Sequence, residues 1–266
     1  MDKLFKQIKE LNGHQQKRVS EFISSIGKPL DEIFIQIEKL NKFKQQRVFD
    51  FIKALNKPLK ESTNKDSEYV NSAFSEEFRS RILTQHAFQN SPLFQDSFDS
   101  AFMAASKASG KDCKEAPIGE RFWDVEVDGL RISLKSTREK NLSSKTLKIS
   151  KLTEAAWIQD CRSAAIREER TKNLFIEYMD IVGSIIQLRY FKKKQMYELV
   201  EIPMELFKPI LDVPRSYFNS DGPTINIPVG ENPPNLKLRL DRSDAKITIV
   251  SILKERCIVH GTWQLI

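Results

Sequence analysis

The dipeptide Asp128-Gly129 separates two short runs in which apolar and polar residues alternate. Alternation with a period of two indicates β-strands that bury one face. Asp-Gly favours a two-residue hairpin loop, because both central residues of that turn need positive φ. With this loop Val127 pairs with Leu130, and counting outward along both strands places Asp124 opposite Ser133. The turn therefore predicts both a hairpin and its register.

The predicted register gathers polar side chains on one face of the hairpin. That face carries Asp124, Glu126, Arg131, Ser133 and Lys135. Lys135 is the diagonal neighbour of Asp124, and such neighbours have Cβ atoms about 7–8 Å apart, within reach of a long side chain. A carboxylate, a hydroxyl and an ammonium group are thus expected to meet, as in a functional site. An ordinary surface hairpin with a row of cross-strand polar contacts is the alternative.

Composition narrows the class of protein. The chain has 266 residues, of which 30% are charged, as is usual for a soluble globular protein. No apolar run approaches the roughly 18 residues that a membrane helix needs, and the first residues lack the apolar core of a signal peptide. The three cysteines have no CxxC spacing and the three histidines are scattered, which disfavours a disulfide framework and a zinc cluster. We expect a cytoplasmic protein with no membrane contact and no organic cofactor.

Positive charge is concentrated after the hairpin turn. The net charge is +7, and residues 131–151 contain seven Lys or Arg against one acid, Glu139. Such a segment favours an anionic partner. A solvated lysine-rich loop would have the same composition.

The N-terminal residues contain an internal repeat with an offset of 29. Residues 4–30 recur as residues 33–59, each copy reading as a short helix, a turn at Asn12 or Asn41, and a second helix that ends before Pro29 or Pro58. We therefore predict a tandem helical-hairpin repeat over residues 1–62 and a larger domain over residues 63–266. The basic side chains of the repeat could touch phosphates, but the exposed face of a packing module is the favoured interpretation.

The larger domain reads as mixed α/β. Helical periodicity predicts helices over residues 74–89, 93–108, 152–173 and 204–211, the third capped by Thr153 or Ser150. Strand patterns occupy residues 182–191, 196–202, 236–240, 245–252 and 256–259, and the proline-rich residues 212–235 are predicted to form a long loop. This order predicts a mixed sheet flanked by helices, with an all-helical N-terminal segment.

The polar face of the hairpin has the residue types of a phosphodiesterase. Nucleases of the PD-(D/E)xK type hold a divalent cation with carboxylates, and the cation polarises the phosphoryl oxygen and activates water. A lysine stabilises the developing negative charge. Here Asp124 would be the metal ligand, Lys135 the cation beside the water, and the Leu134 carbonyl a further ligand. Ser133 departs from the pattern, which expects an acid there.

A second carboxylate must then come from elsewhere, because Mg²⁺ usually takes one or two carboxylates in proteins. Glu154, near the start of the predicted helix, is the first candidate and Glu77 the second. Glu126 shares the face of Asp124, but it lies opposite Arg131 and could form only a cross-strand ion pair.

Five segments carry a resemblance to a known family: Arg81–Phe88, Ile132–Ser136, Ser150–Glu154, Tyr197–Pro203 and Cys257–Trp263. Together they resemble SmaI-type Type II restriction endonucleases, and the resemblance extends from the N-terminal helical segment to the last strand. It implies a PD-(D/E)xK fold for residues 63–266, Mg²⁺, a homodimer on a palindromic site in double-stranded DNA, and products with 5′-phosphates. It points weakly to a G·C-rich site with a CCGG core. The second helical repeat departs from the family pattern.

The resemblance assigns roles to individual residues. Asp124, Ser133 and Lys135 fall at the catalytic positions, and Glu154 falls where the family keeps a helix glutamate. Candidate DNA contacts, to phosphates or to bases, are Arg138, Glu139, Lys140, Lys145, Lys148, Lys151, Arg162 and Arg167. Two alternatives stay open: a DNA-binding protein with a degenerate nuclease site, and a protein-interaction module on an inactive core.

Overall fold

The computed structural model of the chain describes residues 30–89, 91–220, 222–230 and 234–266. They form two compact units. The larger comprises Lys60–Phe78 and Leu93–Gln264; the smaller comprises Arg79–Pro92, Leu265–Ile266 and the residues up to Leu59. None of the helices in these ranges is long and apolar enough to cross a membrane. The division into residues 1–62 and 63–266 stays a prediction.

The described ranges contain both helices and strands. In chain order, the helices are α1 (Leu30–Lys39), α2 (Lys42–Leu55), α3 (Ser72–Phe88), α4 (Asp96–Ala108), α5 (Trp157–Asp160) and α6 (Ala164–Ile181). The strands are β1 (Leu59–Thr63), β2 (Cys113–Glu115), β3 (Val125–Val127), β4 (Leu130–Thr137), β5 (Thr146–Glu154), β6 (Ser184–Phe191), β7 (Met196–Ile202), β8 (Thr224–Val229), β9 (Leu236–Asp241), β10 (Lys246–Leu253) and β11 (Ile258–Leu265). Short 3₁₀ helices follow β6, β7 and β10 and occupy Arg215–Phe218.

The smaller unit contains the second copy of the predicted repeat. Helices α1 and α2 meet at Asn41, whose side chain accepts a hydrogen bond from the Lys44 amide at 3.0 Å and so caps α2. Residues 4–29 of the first copy lie outside the described residues, so the repeat itself stays a prediction.

The larger unit contains two sheets. Seven strands form a mixed sheet in the order β1-β11-β7-β6-β4-β3-β2, in which β4 and β6 are parallel. Four strands form an antiparallel sheet in the order β5-β10-β9-β8. The predicted mixed α/β class is confirmed, but the single predicted sheet is two. A shared core contains side chains from α6 (Phe175), β6 (Ile185) and β10 (Ile247), all fully buried.

Two predicted elements are wrong. The helix expected from Leu152 begins only at Ala164, because Thr146–Glu154 forms β5 and pairs with β10. Distant pairing partners outweigh local helix preference in such segments. The loop expected over residues 212–235 contains β8, which tolerates Pro228 because it is an edge strand.

An aromatic cluster fixes α4 against the mixed sheet. Phe98 and Phe102 of α4 are fully buried and lie 6.0 Å apart between ring centroids; Phe102 packs on Phe74 at 5.6 Å and Phe98 on Phe78 at 6.4 Å. Trp263 of β11 joins the cluster, and its indole Nε1 donates to Ser75 at 2.9 Å. Gly261 leaves room for that indole, since a Cβ there would lie 2.7 Å from the ring. The aromatic cluster therefore fixes the position of α4 on the mixed sheet.

A buried ion pair joins the two sheets. The Arg189 guanidinium donates to Glu198 at 2.6 Å and to the carbonyl oxygens of Ser143 and Thr146, at the start of β5. Lys254 also bonds Glu198.

Arg189→Met should lower the stability by about 3 kcal/mol, because it leaves the Glu198 carboxylate buried with only Lys254 as a partner. For a domain of this size that corresponds to roughly 6–12 °C in the melting temperature. Differential scanning calorimetry gives the shift. Lys208→Met, which removes the exposed pair with Glu205, is the matched control and should change little. Equal melting temperatures for the two variants would contradict the role given to Arg189.

Candidate active site

The hairpin has the predicted register. Val127 pairs with Leu130 and Val125 with Ile132, and the Asp124 amide donates to the Ile132 carbonyl at 2.9 Å. Asp128 and Gly129 have φ of 51° and 85°, the conformation that the Asp-Gly loop requires. Because the turn fixes the pairing, it also fixes where Asp124 lies along β4.

Asp124 and Lys135 meet, as predicted. One carboxylate oxygen of Asp124, Oδ2, accepts the Leu134 amide at 2.6 Å, the Ser133 hydroxyl at 3.4 Å and the Lys135 ammonium at 3.5 Å. Three donors on one oxygen hold the carboxylate in a single orientation. The other oxygen, Oδ1, accepts no hydrogen bond from the described part of the chain and remains available to a cation or a water.

A second carboxylate comes from α4. Asp99 and Asp124 line the same cavity of about 650 Å³, together with Asp96, Glu115, Glu120 and Trp123. Burial raises the pKa of Asp99 to about 7, and the negative charge of Asp124 adds to that effect, while Lys135 opposes it. A pKa near 7 marks a buried acid beside a second acid, which is typical of functional sites.

Ser133 occupies the position where the nuclease pattern expects an acid. Its side chain is fully buried, and its hydroxyl is a donor to Asp124. The Tyr178 hydroxyl is buried and lies next to Ser133. Burial, together with the charge of Asp124, raises the pKa of Tyr178, so the phenol stays neutral. Ser133 therefore supports Asp124 and does not replace the missing carboxylate.

The acids favoured from the sequence lie elsewhere. Glu154 is the last residue of β5 and not part of a helix; its side chain is 78% exposed and pairs with Lys151 at 2.5 Å. Glu77 is buried in α3 and does not line the cavity. Glu126 lies 4.0 Å from Arg131, the cross-strand pair that the register predicts. Within the described ranges, no three His, Cys, Asp or Glu side chains are grouped so as to hold a metal.

Comparison with known proteins gives the family. A family model described as SmaI, Type II site-specific deoxyribonuclease, matches residues 39–265. The chain belongs to the SmaI family.

One curated relative is the Type II restriction enzyme SmaI of Serratia marcescens. It is 28% identical to this chain over 210 residues, which cover 75% of this chain and 82% of the relative. No solved structure gives a significant match. The family assignment makes the chain a Type II site-specific deoxyribonuclease, a hydrolase that binds and cleaves DNA. The family favours the catalytic interpretation over the two non-catalytic ones.

Asp99 is an acid of the candidate site in this SmaI-family chain that the sequence pattern did not reveal. Asp96 and Asp99 stand in the first turn of a helix, where acids are common because they interact favourably with the helix dipole. That local explanation gave no reason to expect Asp99 at the cavity. The available signal was Asp99 itself, an acid directly after the buried Phe98.

In the basic segment of this SmaI-family chain, residues 131–151, some cationic side chains are exposed to solvent and others form ion pairs within the chain. Arg138, Lys140 and Lys145 are exposed, and Arg138 stacks on Phe94 with its guanidinium carbon 4.3 Å from the ring centre. Lys148 is paired with Glu139 at 2.6 Å.

Arg167 is not available to DNA. Its side chain is 1% exposed, and its guanidinium donates to the carbonyl oxygens of Phe218, Cys161 and Arg162 at 2.7–3.0 Å. The predicted DNA contact at Arg167 is therefore wrong, since the side chain instead holds the start of α6 to the Phe218 loop. Arg162 is exposed.

Proposed function

We propose that this enzyme is a Mg²⁺-dependent endonuclease with the PD-(D/E)xK arrangement. It hydrolyses phosphodiester bonds in double-stranded DNA at a palindromic site and leaves 5′-phosphates. The observation that carries the proposal is that Asp124 and Asp99 line one cavity and that the Lys135 ammonium contacts Asp124.

The donor set fits a hard divalent cation. Asp124 Oδ1 and the Asp99 carboxylate supply two anionic oxygens, and Mg²⁺ in proteins usually takes one or two carboxylates and completes its shell with water. The amide and carbonyl of a strand residue point to the same side, so the Leu134 carbonyl faces the side from which Asp124 approaches. The raised pKa of Asp99 supports the fit, because burial and the charge of Asp124 disfavour its ionised form and a bound cation would offset both effects.

A cation bound there would polarise a phosphoryl oxygen and lower the pKa of a bound water. The side chains and backbone of the protein provide the other functions that the reaction needs. Lys135 places a positive charge beside the reacting phosphate and orients the attacking water. Leu134 and Ser133 hold Asp124 through its Oδ2, so Oδ1 is presented in one direction.

The substrate follows from charge and from the family. Cations in and beyond the basic segment can neutralise phosphates of a duplex; the proposed phosphate contacts are Arg138, Lys140, Lys145, Lys148, Lys151 and Arg162. Glu139 is an acid, so it is proposed only as a base contact. A homodimer would give each half of a palindrome an equivalent protomer. The relative's name, restriction enzyme, favours the same activity within a restriction-modification system, and a G·C-rich site with a CCGG core is the proposed target. Cys113, Cys161 and Cys257 are all free thiols, in keeping with the reducing cytoplasm.

Digestion of plasmid or phage DNA tests the proposal. With Mg²⁺ the enzyme should give discrete fragments that disappear in EDTA, and sequencing the fragment ends yields the site, the stagger and the position of the phosphate. Fragments with 3′-phosphates, or cleavage that persists in EDTA, would contradict the mechanism. Sedimentation of the protein with and without a cognate duplex gives the number of protomers bound.

The phosphate contacts have a separate test. Lys140→Ala/Lys145→Ala should weaken DNA binding equally for cognate and random duplexes. It should also reduce the slope of log affinity against log salt by about 0.9 for each phosphate that is no longer neutralised. Fluorescence anisotropy without divalent cation measures both. Lys193→Ala, in the exposed turn between β6 and β7, is the matched control and should leave the slope unchanged. A slope equal to that of the wild type in the double variant would remove both lysines from the interface.

A further inference from the structure

The segment Leu93–Gln95, directly before α4, is tied to the mixed sheet at two points and to the basic segment at a third. The Leu93 amide donates to the buried Tyr197 hydroxyl of β7 at 3.1 Å. Arg138 lies over the Phe94 ring. The Gln95 amide donates to the Ser136 hydroxyl of β4 at 2.8 Å. The three residues before α4 are thus more tightly held than an ordinary connecting loop.

Gln95 transmits this restraint to the cavity. It is the N-cap residue of α4, and its side chain makes no capping hydrogen bond. Its carbonyl accepts the amides of Phe98 at 2.7 Å and of Asp99 at 3.1 Å. Two hydrogen bonds therefore connect the Ser136 hydroxyl to the backbone of Asp99.

The backbone of Gln95 is strained. Its φ is 50° with ψ at −131°, a region that residues with a Cβ rarely occupy. Such a conformation persists only where the surrounding structure enforces it, and it is found preferentially at functional sites. The Ser136 hydroxyl is one of the groups that enforce it, because it holds the Gln95 amide in place.

Strand β4 thus supports every charged group of the proposed site. Its residues 133–136 successively donate to Asp124 from a hydroxyl and an amide, supply the Lys135 ammonium, and hold the first turn of α4. We propose that Ser136 is a positioning residue, which sets the place of Asp99 relative to Asp124 and Lys135. This inference rests on the proposed function, in which Asp99 is the second carboxylate.

The effect of losing the hydroxyl follows from what else holds α4. Phe98 and Phe102 anchor the helix in the aromatic cluster, so its body should stay in place when Ser136 is changed. The first turn, which carries Asp99, would lose its tie to β4. A misplacement of about 1 Å at a reacting group costs on the order of 100-fold in rate.

Ser136→Ala should therefore reduce the single-turnover cleavage rate by roughly 10- to 100-fold and raise the Mg²⁺ concentration needed for half-maximal rate. DNA affinity without divalent cation and the melting temperature should stay close to the wild-type values. Ser136→Thr keeps the hydroxyl and should restore most of the rate. Ser109→Ala, which removes a serine hydroxyl from the C-terminal end of the same helix, is the matched control.

A double-variant cycle with Asp99→Asn separates this inference from the proposed function. If Ser136 acts through Asp99, Ser136→Ala/Asp99→Asn should cleave no more slowly than Asp99→Asn alone. Additive losses, or a Ser136→Ala enzyme with the wild-type rate and Mg²⁺ dependence, would overturn the role of Ser136 and leave Asp99 as a ligand. Normal cleavage by Asp99→Asn would overturn the metal site instead, and with it the route assigned to Ser136. If Ser136→Ala fails to fold, the rate and Mg²⁺ dependence of Ser136→Thr and Ser136→Val decide, since the two side chains have nearly the same shape and only threonine keeps the hydroxyl and should keep the wild-type values.

Discussion

Asp124→Asn should reduce the rate of DNA cleavage by on the order of 10³-fold or more, because a divalent cation contributes several kcal/mol to stabilising the transition state. Asparagine has the shape of aspartate, and its carbonyl oxygen can still accept the Leu134 amide that now bonds Oδ2. The variant therefore keeps the hairpin and loses the charge that faces the cation and Lys135. Single-turnover cleavage at saturating enzyme measures the loss, and the melting temperature verifies the fold.

The matched control for this change is Asp244→Asn, at the exposed turn before β10, which removes the same charge outside the cavity. It should cleave at the wild-type rate. An Asp124→Asn enzyme that retains about a tenth of the wild-type rate at every Mg²⁺ concentration would mean that Asp124 is not a metal ligand.

Asp99→Asn should lower the cleavage rate by on the order of 100-fold or more while DNA binding persists, because it removes the second carboxylate. The comparison with Glu154→Gln tells whether the second carboxylate is Asp99, in the cavity, or Glu154, at the end of β5. We expect Asp99→Asn to show the larger loss, since Glu154 is exposed and paired with Lys151. The reverse order would return Glu154 to the metal site.

The same variant should change the pH dependence. Below pH 7 a proton competes with the cation for Asp99, whose pKa burial raises to about 7. The Mg²⁺ concentration for half-maximal rate should therefore rise about tenfold for each unit of pH below 7 in the wild type. Asp99→Asn should lose this dependence. A wild-type Mg²⁺ requirement that stays constant across the acidic range below pH 7 would exclude Asp99 as a ligand.

The stability of the metal-free protein should change with pH in the opposite sense: the ionisation of Asp99 that favours the cation destabilises the fold. The pKa of Asp99 in the folded chain lies above its ordinary value of 3.8, so the folded state binds the proton more tightly. That contribution is present at low pH and is lost as the pH rises through 7. Without divalent cation, Asp99→Asn should therefore melt higher than the wild type above that pH, and the difference should vanish toward about pH 4. The site is in this sense maintained at a cost in stability.

The hairpin could be predicted because its determinants are local. Two residues of a tight turn fix the pairing, and the alternation on either side fixes the faces, so Asp124 and Lys135 could be brought together from the sequence. The strands β6 and β7 were predictable for the same reason, since they form a hairpin around the short Lys192–Lys194 turn.

The features that could not be predicted depend on contacts between residues that are distant in sequence. Strand β5 pairs with β10 and buries Leu147 and Ile149, but its residues read locally as a basic loop that runs into a helix. Arg167 reads as an exposed helix cation, yet the helix brings it to the carbonyl oxygen of Phe218, 51 residues along the chain, which it bonds together with the nearby Cys161 and Arg162 carbonyls in the interior. Asp99 shares a cavity with Asp124 because aromatic packing places α4 there. No local pattern contains these contacts.

The two-residue loop at Asp128-Gly129 limits how this gene can change. Substitutions at the loop alter only its conformational preference, and other residues that accept positive φ would serve. Inserting or deleting one codon is different, because a shift of one residue in pairing turns every side chain of a strand to the opposite face. Lys135 would then leave the side of β4 on which Asp124 is held. The hairpin's length is therefore under stronger constraint than the identity of its tip.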